Sequence, residues 1–145
     1  MSYGIFTNDW AEAWAEQLNQ SEIYRDTARD WDAPIVFVMR ADPEVGVPEE
    51  RSVYLDLSGG ECRQARAASG EDMEDAPYKI SAPPQVWKRV LDGNLEVTSA
   101  LMRGKLEVEK GDRGMLSAYT EASREMVEAT RRIDAELPQE LQEQA

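Results

Sequence analysis

A chain of 145 residues can bury one core but is short for two, and 41% hydrophobic with 31% charged residues fits a folded protein. A net charge of −13, with lysine only at positions 79, 88, 105 and 110, leaves no basic stripe for nucleic acid and nothing to attract anionic lipid. No histidine and a single cysteine, Cys62, exclude Ser–His–Asp and Cys–His catalysis, His-ligated or structural zinc, and an internal disulfide.

In chain order, Asp9 and Glu12 have capping-box spacing, and Trp10, Ala13, Trp14 and Leu18 then share one helical face. Ser21 is placed to cap a second helix, whose stripe of Ile23, Tyr24, Thr27, Ala28 and Trp31 ends before Pro34. "IVFVMRA" predicts a strand buried on both faces, and "RSVYLDLS" one with Val53, Leu55 and Leu57 inward. Gly59-Gly60 predicts a hairpin into "ECRQARAAS", a more polar edge strand. "GEDMEDA" reads as an acidic loop and "YKIS" as a short strand. Pro83-Pro84 opens a helix with Val86, Trp87, Val90 and Leu91 inward, stopped at Gly93. Thr98 or Ser99 is placed to cap "ALMR", and "KLEVE" alternates with Leu106 and Val108 inward. From Met115 one long helix is expected, with Tyr119, Ala122, Met126, Thr130 and Ile133 on its stripe. Residues 138–145 read as a polar, frayed tail after a single domain, 1–137.

Three strands with one wet and one dry face, plus a doubly buried strand, predict an α+β domain around a mostly antiparallel sheet of five strands, covered by helices mainly on one side. Trp87, Leu91, Leu101, Met102, Leu106, Met115, Tyr119 and Met126 would all turn toward the covered face. Such a set lines an apolar tunnel or simply fills a core, and periodicity alone favours the filled core. Asp56, Glu107 and Glu109 read as a solvated sheet face rather than paired catalytic carboxylates, so catalytic residues are expected to be none. No metal, no cofactor and no stable membrane insertion are expected either. "MSYGIFTNDW" lacks the basic and apolar regions of a signal peptide, and with one cysteine this points to the reducing cytoplasm.

The Trp-bearing helix, Gly93, Ala100 and "MRGKLEVEKGD" together resemble the sterol carrier protein type-2 family. The matching positions are Gly93, Ala100, Met102, Gly104, Lys105, Leu106, Gly111 and Asp112, and the order of elements follows the family over about residues 8–133. The resemblance implies a five-stranded sheet and helices enclosing a hydrophobic tunnel, holding fatty acyl chains, sterols or other apolar molecules without a cofactor. The chain departs in "EVT" between Gly93 and Ala100, where proline is frequent, and in ending "EQA" rather than in a peroxisomal address. The expected function is non-catalytic binding or transfer of a hydrophobic small molecule. The alternatives are an accessory subunit presenting such a substrate to a partner enzyme, or a closed-core interaction domain; a homodimer is a further partner.

Overall fold

The computed structural model describes residues 3–142. Five strands form the main sheet: β2 (Asp32–Met39), β3 (Arg51–Ser58), β4 (Glu61–Ala67), β5 (Tyr78–Ala82) and β6 (Glu107–Lys110), in the order β4-β3-β2-β5-β6. Only the β2–β5 pairing is parallel, so the sheet is mixed and mostly antiparallel. The β3–β4 hairpin turns through Gly59 and Gly60, both at positive φ (62° and 83°), where a Cβ would be strained. A separate parallel pair joins β1 (Tyr3–Gly4) to β7 (Ala135–Glu136), through Tyr3 N–H to the Asp134 carbonyl at 2.8 Å and Ile5 N–H to the Glu136 carbonyl at 3.1 Å.

Strand alternation sets the two faces. Val53, Leu55 and Leu57 of β3 are buried beside Ile35, Phe37 and Met39 of β2 and Ile80 of β5. Onto this face pack α1 (Asn8–Gln20), α2 (Glu22–Thr27), α4 (Pro84–Leu91), α5 (Val97–Met102), α6 (Arg113–Ala118) and α7 (Thr120–Thr130). The α1 cap is Thr7, whose hydroxyl accepts the Trp10 N–H, rather than the Asp9–Glu12 pair. Ser21 caps α2 as its position predicts. Its hydroxyl also donates to buried Glu125 at 2.5 Å, and Arg132 donates to the same carboxylate, so α2 and α7 share a buried polar anchor.

Val36 and Val38 of β2 face the opposite side, where cover comes from the segment expected to be an acidic loop. Residues Gly70–Asp75 form a helix, α3, because Ser69 and Asp72 make a reciprocal capping box. Asp72 also receives two hydrogen bonds from Arg66, at 3.0 and 2.8 Å, while the guanidinium lies over the Tyr54 ring. The capping and the ion pair let Met73 and Ala76 close over the second valine layer. That cover seals the far side of β2.

The frayed tail expected from residue 138 is corrected over its described part. Gln139–Gln142 form a short helix, α8, with Leu141 completely buried. It packs against α4 and the turn at Pro43–Val45, where Gly46 runs so close that an added Cβ would overlap Pro138 and Glu140. Periodicity missed this because one leucine in a polar segment makes no stripe. Residues 143–145 of that expected tail lie outside the described residues.

Candidate hydrophobic site

Between the helical layer and the sheet lies an apolar cavity. Ile35, Phe37 and Ile80 form its floor; Trp10 and Trp14 of α1 form one wall, with Phe6 just before them. Trp87, Val90 and Leu91 of α4 close another side, joined by Val97, Leu101, Leu106 and Leu116. Ser123, Met126 and Val127 of α7 form the roof. A second apolar space, bounded by Tyr24, Ala28, Trp31, Leu57, Tyr119 and Ala122, shares Ile35, Leu116, Ser123 and Met126 with the first. These four side chains border both spaces.

The aromatic wall is held in register by contacts that use both faces and edges. Phe6 stacks on Trp10 with centroids 5.1 Å apart, and Trp87 meets Phe6 and Phe37 at 5.2 and 6.1 Å. The Trp87 indole donates to the Val38 carbonyl at 2.8 Å, pinning α4 to the central strand. The Trp14 indole donates to the Met126 carbonyl at 2.9 Å and ties α1 to α7. Phe6 takes φ +60°, an uncommon conformation for an aromatic residue, which turns the chain from β1 into α1.

The two interior spaces have volumes of about 60 and 30 Å³. Sites that enclose a whole small organic molecule run to several hundred Å³, so such an occupant must part these walls. A seam runs between the α4–α5 connection and α7. A cleft of about 220 Å³ opens there, sharing Val90, Val97 and Val127 with the main cavity. It is bridged by the exposed Glu96–Arg124 pair at 2.6 Å and by the Thr98–Thr120 hydroxyl contact at 3.0 Å. A larger trough between α1 and β4 is open and polar, with Glu12, Glu16, Asn19 and Gln64 on its rim, and is a poor home for an apolar molecule. Cys62 borders that trough, but its side chain is buried in the core. Burial pushes its thiol up to about 12, leaving a protonated group that is a weak nucleophile at neutral pH.

The model of the SCP-2 sterol transfer family matches residues 12–122, which contain the sheet, α4, α5 and most of the cavity wall. The chain belongs to this family. A crystal structure of a sterol carrier protein 2 is similar at 42% identity with a TM-score of 0.80, over 89% of this chain and 98% of that one. A solution structure of a conserved Thermus thermophilus protein, suggested to be a sterol carrier protein, is 40% identical with a TM-score of 0.81, over 94% and 97% of the two chains. The apo form of sterol carrier protein 2 from Yarrowia lipolytica shares the fold at 19% identity and a TM-score of 0.56, over 82% and 87%. No curated protein matches the chain.

Against this SCP-2 framework the residues singled out in the sequence divide. Trp87, Leu91, Leu101, Leu106 and Met126 line the main cavity, and Tyr119 and Met126 line the second space. Met102 and Met115 are corrected: they are 73% and 44% exposed and touch neither space. Met102 ends α5 on its outer side, next to buried Leu101. Met115 fails because the expected single helix is two, broken at Tyr119 (φ −105°, ψ 45°). The Asp112 side chain starts α6 by accepting from Gly114 and Met115, and the inward position becomes Leu116. Reading from the sequence also left out Phe6, Trp10 and Trp14. The paired Trp10–Trp14 spacing was a usable signal; nothing in the sequence marks Phe6 or Ser123. Among the described residues, no three metal-ligating side chains cluster and no helix is long and apolar enough to cross a membrane.

Proposed function

We propose that this SCP-2 family member is a non-catalytic carrier that binds a hydrophobic small molecule, such as a lipid or sterol-like compound, between its sheet and its helical layer. The observation that carries this reading is the pair of apolar spaces that share Ile35, Leu116, Ser123 and Met126 as wall residues. A packed interior gains nothing from two such gaps on either side of one flexible methionine. A ligand that displaces Met126 would join them into one elongated chamber. Holding it is a matter of apolar burial, at about 25 cal/mol per Å² before ordering costs, which favours breadth over tight selection. Loading occurs by separation of α5 from α7 at the Glu96–Arg124 seam, and the carrier works in the cytoplasm without inserting into membranes.

Displacement of a fluorescent fatty-acid analogue by unlabelled acyl chains or sterols tests the reading, with native mass spectrometry of the purified protein to detect co-purified apolar molecules. Saturable binding with a change in tryptophan emission is expected, since Trp10, Trp14 and Trp87 line the chamber. No saturable binding across a range of apolar probes would refute it.

A further inference from the structure

The four tryptophans differ in one respect. Three indole N–H groups donate to backbone carbonyls: Trp14 to Met126, Trp31 to Ala33 and Trp87 to Val38, at 2.9, 2.7 and 2.8 Å. Trp10 is only 1% exposed, yet its Nε1 has no acceptor among the described residues. An unpaired donor inside a protein is costly, and buried polar groups are overwhelmingly paired. Trp10 lines the main cavity, where, among the described residues, Ser123 alone of the wall residues is neither aliphatic, aromatic nor methionine. A water there would find too few partners to be held well, since buried waters typically make about three hydrogen bonds. Among the described residues no arginine or lysine borders the cavity, so a carboxylate brought to Trp10 would be buried without a counter-charge.

Building on the carrier reading above, we propose that Trp10 is a ligand-recognition residue: its indole N–H donates to an uncharged oxygen acceptor, a carbonyl or hydroxyl, on an otherwise apolar ligand. The hydrophobic effect supplies retention, while this one donor sets which end of the molecule lies deepest. It also discriminates against pure hydrocarbons, which would leave the donor unpaired.

Three ten-carbon probes test this on the intact protein: decane, 2-decanone and decanoate, followed by indole ¹⁵N–¹H spectra. The ketone is expected to move the Trp10 indole proton downfield, while decane and decanoate do not, and the other three indoles serve as already hydrogen-bonded references. Trp10→Phe removes the donor and enlarges the cavity for both neutral probes alike. It should lower the affinity of 2-decanone relative to decane by about tenfold. An unmoved Trp10 proton with the ketone bound, or an unchanged affinity ratio in the variant, overturns the proposal and leaves the carrier reading standing. A decanoate shift equal to the ketone's overturns the requirement for an uncharged acceptor. Saturable binding of none of the probes overturns the carrier reading, and this inference with it. If the variant does not fold, the spectra of the unmodified protein decide alone.

Discussion

Met126 and Leu55 make a matched test of where the interior is packed and where it is open. Both face the same side of the sheet, but Leu55 is fully buried in β3 while Met126 borders both spaces and is only partly buried. Leu55→Ala removes packed atoms and leaves a new void, which costs about 3–4 kcal/mol. Met126→Ala removes Cγ, Sδ and Cε, worth about 2.4 kcal/mol if fully buried at about 0.8 kcal/mol per group. Partial burial roughly halves that, and because the side chain already faces open space little is added for a new cavity. The expected cost is about 1 kcal/mol. For a domain of this size, about 3 °C of melting temperature corresponds to each kcal/mol, giving falls of about 10 °C and about 3 °C. Probe displacement on the same preparations should show Met126→Ala shifted toward bulkier ligands and Leu55→Ala unchanged in preference. Equal losses in stability with unaltered preference would mean that α7 merely closes a filled core.

Leu141→Ala should lower stability by about 2–4 kcal/mol in thermal melts, because the leucine is completely buried; a negligible change would show that α8 does not dock in solution. The hydrogen bonds from Arg66 hold the Asp72 carboxyl down at about 2 against an ordinary 3.8. A depressed carboxyl stabilises the fold fully above its unfolded value, and that contribution is lost as pH falls from about 4 toward 2. Denaturant titrations across this window should lose about 1–2 kcal/mol more in the parent than in Asp72→Asn; parallel curves would refute the assignment. Arg124→Ala breaks an exposed pair and should change stability by less than about 0.5 kcal/mol. Stopped-flow exchange of a bound probe should nevertheless accelerate severalfold, and unaltered exchange would place the opening elsewhere.

The sheet was the most legible part of this fold because strands report their burial with period two. Val53, Leu55 and Leu57 alternate strictly, and "IVFVM" leaves no wet face, so edge, partner and centre could be told apart. The helices were less legible where their ends depend on side-chain capping rather than on apolar spacing. Ser69 and Asp72 turn an acidic stretch into α3 by closing a box on each other, and the Arg66 that steadies it lies on another element. Asp112 and the bend at Tyr119 shift the phase of the C-terminal stripe, which exchanges Met115 for Leu116. The site shows the same limit. Trp87, Leu91, Leu101 and Leu106 sit near one another in sequence and were found together; Trp10 and Trp14 reach the same cavity only through long-range packing of α1 on the sheet and α7.

The β1–β7 pair carries a consequence for how the chain is made. Tyr3 and Ile5 find their partners at Asp134 and Glu136, so this pairing cannot form until some 131 residues after Tyr3 have been synthesised. At about 5–20 residues per second, that is roughly 7 to 26 s after Tyr3 is added. Trp14 waits nearly as long for the Met126 carbonyl. The nascent polypeptide must therefore carry an aromatic segment, Phe6 through Trp14, without its last partners while more than a hundred further residues are made. That interval exposes a sticky N-terminal stretch to other ribosome-bound chains, and it gives a general chaperone a binding window that closes when the strand pair zips.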